Sequence, residues 1–156
     1  MKLFGEDTAR IEMLKNVPVF RELSRREISE VDALLHERTY EKGEIIFEEG
    51  DEGHGIFIIL SGKVRVKSRR KLLEAVVPEL GPGELFGELT LFDEAPRFAT
   101  AIAAEPTVAV ALFQAEFASL LTRNKDIGVK VLMEISRAIS RRIRQILAHE
   151  PGAPGT

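Results

Sequence analysis

Phe86-Gly87-Glu88-Leu89-Thr90-Leu91-Phe92-Asp93-Glu94-Ala95-Pro96-Arg97-Phe98-Ala99-Thr100 is the stretch on which the reading of this chain turns. It lies between two strand-like runs and contains a short helix-like piece. Gly87 lets the backbone approach a ligand closely. The amides that follow, around Leu89 and Thr90, are expected at the start of a helical turn, where free N–H groups suit an anion. Arg97 adds a planar fork of donors that matches a phosphate. Glu88 is a good acceptor for a sugar hydroxyl. One loop thus offers an acceptor for a sugar and donors for a phosphate.

On either side of this loop the hydrophobic period is that of short strands. Glu44 to Glu48 reads as a strand after the Lys42-Gly43 turn, and Gly50, Gly53 and Gly55 crowd the next loop. Ile56 to Leu60 is a continuous apolar run, and Ser61-Gly62 has the form of a two-residue hairpin turn. Val64 and Val66 alternate with Lys63, Arg65 and Lys67, which leaves one face wet. Leu72 to Val77 reads as a further strand, Gly81-Pro82-Gly83 as a sharp turn, and Val108 to Phe113 as the last strand. Phe98, Thr100 and Ile102 alternate with Ala99, Ala101 and Ala103, which puts Phe98 on the bulky, lumen-facing side. Short strands with regular turns indicate a barrel or jelly roll over residues 38–113.

Beyond the strands the period becomes helical. Ser24 and Glu27 fit a capping box, with Ile28, Val31, Leu34 and Leu35 following at helical spacing, so a helix is predicted from about Arg25 to Glu37. It closes an N-terminal helical segment, residues 1–37. Residues 114–149 return to helix. Ile127, Val131, Ile135, Ala138 or Ile139, Ile143 and Ile146 form an apolar stripe that must pack on the barrel, on another subunit, or on both. Residues 150–156 read as a loose tail. At 156 residues, 44% hydrophobic and 30% charged, the chain has the balance of one ordinary folded domain. A net charge of −3 gives no global pointer to nucleic acid, and the lack of cysteine excludes disulfide scaffolds and thiol catalysis. No apolar run reaches the roughly 18 residues of a membrane span, and the N-terminus has no signal-peptide core. A cytoplasmic protein is expected.

The loop resembles the phosphate-binding cassette of the cyclic nucleotide-binding domain family. That family includes protein kinase A regulatory subunits, cyclic-nucleotide-gated channels and the bacterial catabolite activator protein. Its pattern of a Phe-Gly-Glu-Leu start and a Pro-Arg-small-Ala-Thr end is met by Phe86-Gly87-Glu88-Leu89 and by Pro96-Arg97 and Ala99-Thr100, without an insertion, while Phe98 departs from it where the family usually has Ala, Ser or Thr. Gly43-Glu44-Ile45-Ile46-Phe47, Gly50-Asp51, Phe57 to Val64, Leu80 to Gly83 and Leu14 to Phe20 extend the likeness over roughly residues 14–146. The resemblance implies a mainly β fold with α: an eight-stranded antiparallel β-barrel or jelly roll, flanked by N-terminal helices and by C-terminal helices of the family's B and C type. It also implies roles. Glu88 holds the ribose 2′-hydroxyl and Arg97 the cyclic phosphate. Backbone at Phe86, Gly87, Leu89, Thr90, Phe98 and Ala99 lines the site. The C-terminal helices close over the base, with Arg141 or Arg142 as lid. The ligand expected is cAMP or cGMP, tilted to cAMP because Phe98 lacks the hydroxyl that often favours guanine.

Other readings stand beside these. Glu88 and Arg97 could be a surface ion pair. Arg141, Arg142 and Arg144 could be a solvated face that complements the helix dipole. Phe98 could fill the pocket, which would leave a degenerate fold that binds no nucleotide and serves as an interaction module. A cupin-like enzyme needs clustered metal ligands, and His36, His54 and His149 are not spaced as such. No catalytic residues, metal or cofactor are expected, and no DNA or membrane partner. The chain ends soon after the last helix, so the expected receiver is an unknown effector protein in trans, or a second copy through that helix.

Overall fold

A computed structural model describes residues 4–76 and 79–149. Helix α1 (Phe4–Lys15), a 3-10 turn (Pro18–Phe20) and α2 (Arg25–Asp32) open the chain. Strands β1 (His36–Tyr40), β2 (Ile45–Phe47), β3 (Gly55–Ser61) and β4 (Val64–Lys67) follow, then α3 (Lys71–Val76), β5 (Glu79–Leu80) and β6 (Leu85–Phe86). A 3-10 turn (Glu88–Thr90) leads toward β7 (Thr100–Ala103), β8 (Thr107–Phe113), α4 (Gln114–Arg123) and α5 (Lys125–Ala148). The strands form two antiparallel four-stranded sheets, ordered β1-β8-β3-β6 and β2-β7-β4-β5. This is a jelly-roll arrangement of facing sheets. Among the described residues no strand pairing joins the two into a closed barrel.

Ser24 caps α2 as its sequence requires: the Glu27 amide donates to Ser24 Oγ at 3.2 Å, and the Ser24 amide donates to the Glu27 carboxylate at 3.0 Å. The helix stops at Asp32, short of the expected Glu37, because His36 to Tyr40 pair with Ala111 to Thr107 of β8. Strand pairing overrides the helical period there. Ser61-Gly62 turns the chain but makes no hairpin. β3 pairs with β6 and β8, whereas β4 pairs with β5 and β7, so the turn carries the chain from one sheet to the other. Buried Thr107 secures this crossing, since its hydroxyl accepts from the Lys63 amide at 3.2 Å and also contacts the Lys63 carbonyl at 3.1 Å.

The expected strand from Leu72 is helix α3, and Val77 lies outside the described residues. Leu, Glu and Ala are good helix formers, and the Glu74 carboxylate accepts from the Ser68 amide at 3.0 Å just before the helix. The expected tail, residues 150–156, also lies outside the described residues. β7 is turned over relative to expectation. Ala101 and Ala103 are buried, while Thr100 and Ile102 are only partly covered and Phe98, just before the strand, is 42% exposed. Alternation defines two faces but not which one is inner, and here the inner face carries the small side chains.

Two apolar clusters result. The larger joins both helical regions to the β1-β8-β3-β6 sheet, through Leu14, Phe20, Leu23 and Ile28 on one side and Phe117, Ile127, Val131 and Ile135 on the other. Ion pairs fix α5 there: Lys130 to Glu27 at 3.1 Å, and Arg21 to the buried Glu134 at 3.2 Å. The smaller cluster lies between the sheets, around Ile59, Val64, Leu80, Phe86 and Ala101. The inward alanines of β7 leave room beside it, and a cleft opens at that point.

Candidate functional site

The cleft opens to solvent, and its empty space, the open mouth included, is about 660 Å³. It is lined by Phe47, Val66, Leu80, Phe86, Gly87, Glu88, Thr90, Arg97, Phe98, Ala99, Thr100 and Ala101, with Arg142 and Ile146 from α5. Gly87 has φ +79, and a Cβ there would strike Arg97 Nη1, so only glycine lets the chain turn from β6 into the 3-10 turn at this spot. That turn sets the backbone of Glu88, Leu89 and Thr90 along the cleft. Its first amides are those that such a turn leaves without an internal acceptor. The Thr90 amide is engaged, closing on the Gly87 carbonyl at 3.3 Å. Thr90 is buried, and its hydroxyl donates to the same carbonyl at 3.1 Å.

Arg97 is 7% exposed. Its Nη1 donates to the Gly87 carbonyl at 3.1 Å, and its guanidinium carbon lies 4.2 Å from the centre of the Phe47 ring. Its Nε is buried without a hydrogen-bond partner. Burial pushes the guanidinium below its ordinary pKa, while the charges of Asp51 and Glu88 act the other way. The group stays charged, since an arginine is not deprotonated in a protein. The backbone is firmly held. The Arg97 amide donates to Asp51 O, and the Gly50 amide donates to Arg97 O, both at 2.8 Å.

Glu88 and Arg97 do not form a surface ion pair. The Glu88 carboxylate is 5% exposed and pairs instead with Arg142 Nη1 of α5 at 3.1 Å, while Arg142 Nη2 donates to Leu85 O at 3.3 Å. Of the two lid candidates, Arg142 reaches the cleft. Arg141 lines a different surface cleft, with Pro18, Glu134 and Gln145. Phe98 stands at the rim and does not occupy the cleft. Phe86 is buried, stacked on Phe57 at 5.1 Å. Six lining residues were not singled out from sequence as contacts: Phe47, Val66, Leu80, Thr100, Ala101 and Ile146. The only signal at Phe47 was an aromatic shortly before the glycine-crowded loop, and Ile146 was hidden among the apolar residues of the stripe.

The sequence profile of the cyclic nucleotide-binding domain matches residues 37–124. The chain belongs to this family. It is 35% identical over 133 residues to the Cyclic AMP receptor protein of Thermus thermophilus, covering 85% of this chain and 60% of that one. It is 39% identical over 94 residues to the cAMP-dependent protein kinase regulatory subunit of Mycosarcoma maydis, covering 60% of this chain and 18% of that one. The chain therefore spans less than two thirds of these relatives. A solved cyclic nucleotide-binding domain from Methylobacillus flagellatus shares the fold, with a TM-score of 0.80 and 22% identity over 97% of this chain and 86% of that one. The family is one of regulatory binding domains. Among the described residues no group of three His, Cys, Asp or Glu could hold a metal ion, and no helix is long and apolar enough to cross a membrane.

Proposed function

We propose that this domain is a non-enzymatic cytoplasmic sensor of a cyclic mononucleotide, with cAMP as the first-choice ligand. The observation that carries the reading is Arg97: a buried guanidinium with one neutral hydrogen bond, lining an open cleft. A cyclic phosphate brings the opposite charge and enough acceptors for its fork. Glu88, across the same turn, offers a carboxylate oxygen to the ribose 2′-hydroxyl. Apolar Val66, Leu80 and Ile146 then leave an apolar wall for a base. Two relatives named for cyclic AMP, and the absence of a hydroxyl at Phe98, favour adenine. The position of Phe98 at the rim speaks against the alternative, an interaction module whose pocket is filled by its own ring.

Ligand is expected to raise thermal stability. At 100 times the dissociation constant it adds about 2.7 kcal/mol, a rise of roughly 5–11 °C for a domain of this size. Melts with cAMP and cGMP read this directly, and a flat response to both supports the interaction-module reading instead.

Signalling runs through α4 and α5. Phe92 of the cassette packs edge-on against Phe117 of α4 at 5.9 Å, and Arg142 ties α5 to Glu88. A ligand moves these helices only by binding one of their arrangements better than another. The receiver is a second copy or an effector protein, gripping the exposed seam of Val129, Met133, Ile143 and Leu147 on α5, residues 48–53% exposed. Met133→Asp with Ile143→Asp should abolish any self-association seen by sedimentation, and the variant's cAMP affinity should match that of wild type diluted to its unassociated form. Wild-type protein that stays monomeric with and without cAMP leaves the effector as receiver.

A further inference from the structure

The anion-binding arginine is held by more than the segment that contains it. Arg97 has one hydrogen bond, to the Gly87 carbonyl, and among the described residues no carboxylate within ion-pairing distance. A buried charge in that condition needs compensation. The face of Phe47, on β2, lies 4.2 Å from the guanidinium carbon, and a ring under a guanidinium attracts it most strongly when water is excluded. Phe47 is itself braced by Phe57 and Phe86, each with its ring centre 5.8 Å away. On another side, Gly53 comes so close that a Cβ there would sit 2.6 Å from Arg97 Nε and 2.6 Å from Thr90 Oγ1. The Arg97–Asp51 and Gly50–Arg97 backbone bonds lock the same loop to the arginine's own backbone.

We infer that Phe47 and Gly53, both outside the 86–100 segment, are positioning residues that aim the Arg97 fork into the cleft: the ring as a flat rest, the bare glycine backbone as a stop. The effect on ligand affinity rests on the function proposed above. The stack itself does not depend on it. Without the ring, the guanidinium is free to leave its plane. With a methyl at Gly53, it is displaced.

The test combines two readouts. In nitrogen-detected NMR of the protein alone, the Arg97 Nε–Hε signal should carry a ring-current shift in wild type and in Phe47→Tyr, lose it in Phe47→Leu, and move in Gly53→Ala. With cAMP as probe in calorimetry, Phe47→Leu and Gly53→Ala should each weaken binding about 3- to 30-fold, while Phe47→Tyr stays close to wild type. An Arg97 signal unmoved by Phe47→Leu overturns the inference, and so does unchanged cAMP affinity in that variant. If Phe47→Leu does not fold, Gly53→Ala decides by the same two criteria. Wild-type protein that binds neither cAMP nor cGMP but keeps the shifted signal refutes the proposed function and leaves the stack standing.

Discussion

Arg97→Ala should weaken cAMP binding about 30-fold to several-thousand-fold, the equivalent of about 2–5 kcal/mol. Much of the loss comes from the anion left without its cationic partner. Arg97→Lys should recover only part of it, because a compact ammonium lacks the fork that can face two phosphate oxygens together. Stability should go the other way. Arg97 is buried with an orphaned Nε and no ion pair among the described residues, so in the protein without ligand its charge is offset only by the more distant Asp51 and Glu88 and by the Phe47 ring. Replacing that charge with alanine should hold or raise the melting temperature without nucleotide. Calorimetric titration and thermal melts on the same samples check both halves. An unchanged dissociation constant sinks the assignment of Arg97 to the phosphate.

Glu88→Ala should erase discrimination between cAMP and its 2′-deoxy analogue. A hydrogen bond to a charged acceptor contributes about 1.5–3 kcal/mol, so wild type should prefer cAMP about 10- to 150-fold. In the variant the two affinities should converge, since the ribose hydroxyl has lost its acceptor. The comparison isolates that single contact, because both ligands carry the same phosphate and base. Glu88→Ala also strips Arg142 of its partner at 3.1 Å, so amide exchange should quicken in the last turns of α5. Preference for cAMP that survives the substitution would show that Glu88 does not hold the sugar.

The parts of this domain that were legible in sequence are those set by local chemistry. The capping box at Ser24, the unbroken apolar run of β3, and the Gly-Glu and Pro-Arg ends of the cassette each carry their own signal. What was not legible depends on distant partners. Helix α2 ends early because β8 claims residues from His36 onward. Ser61-Gly62 has hairpin chemistry, yet its flanking strands belong to different sheets. β7 alternates as read, but the need for a cleft, rather than side-chain bulk, decides which face is inner. That Glu88 and Arg97 line one cleft was legible from their types and spacing. The choice of Arg142 over Arg141 was not, because it depends on how α5 is rotated against the cassette.

That rotation has a thermodynamic corollary. Arg142 and Ile146 line the cleft, while Ile143 and Leu147, one position further round the same rod, are open to solvent. Two adjacent stripes of one stiff cylinder cannot be turned separately, so under the proposed function the helix would work like a cam. Linkage is reciprocal: whatever grips the outer stripe in one orientation must tighten or loosen the hold on nucleotide by the same factor that nucleotide changes the grip.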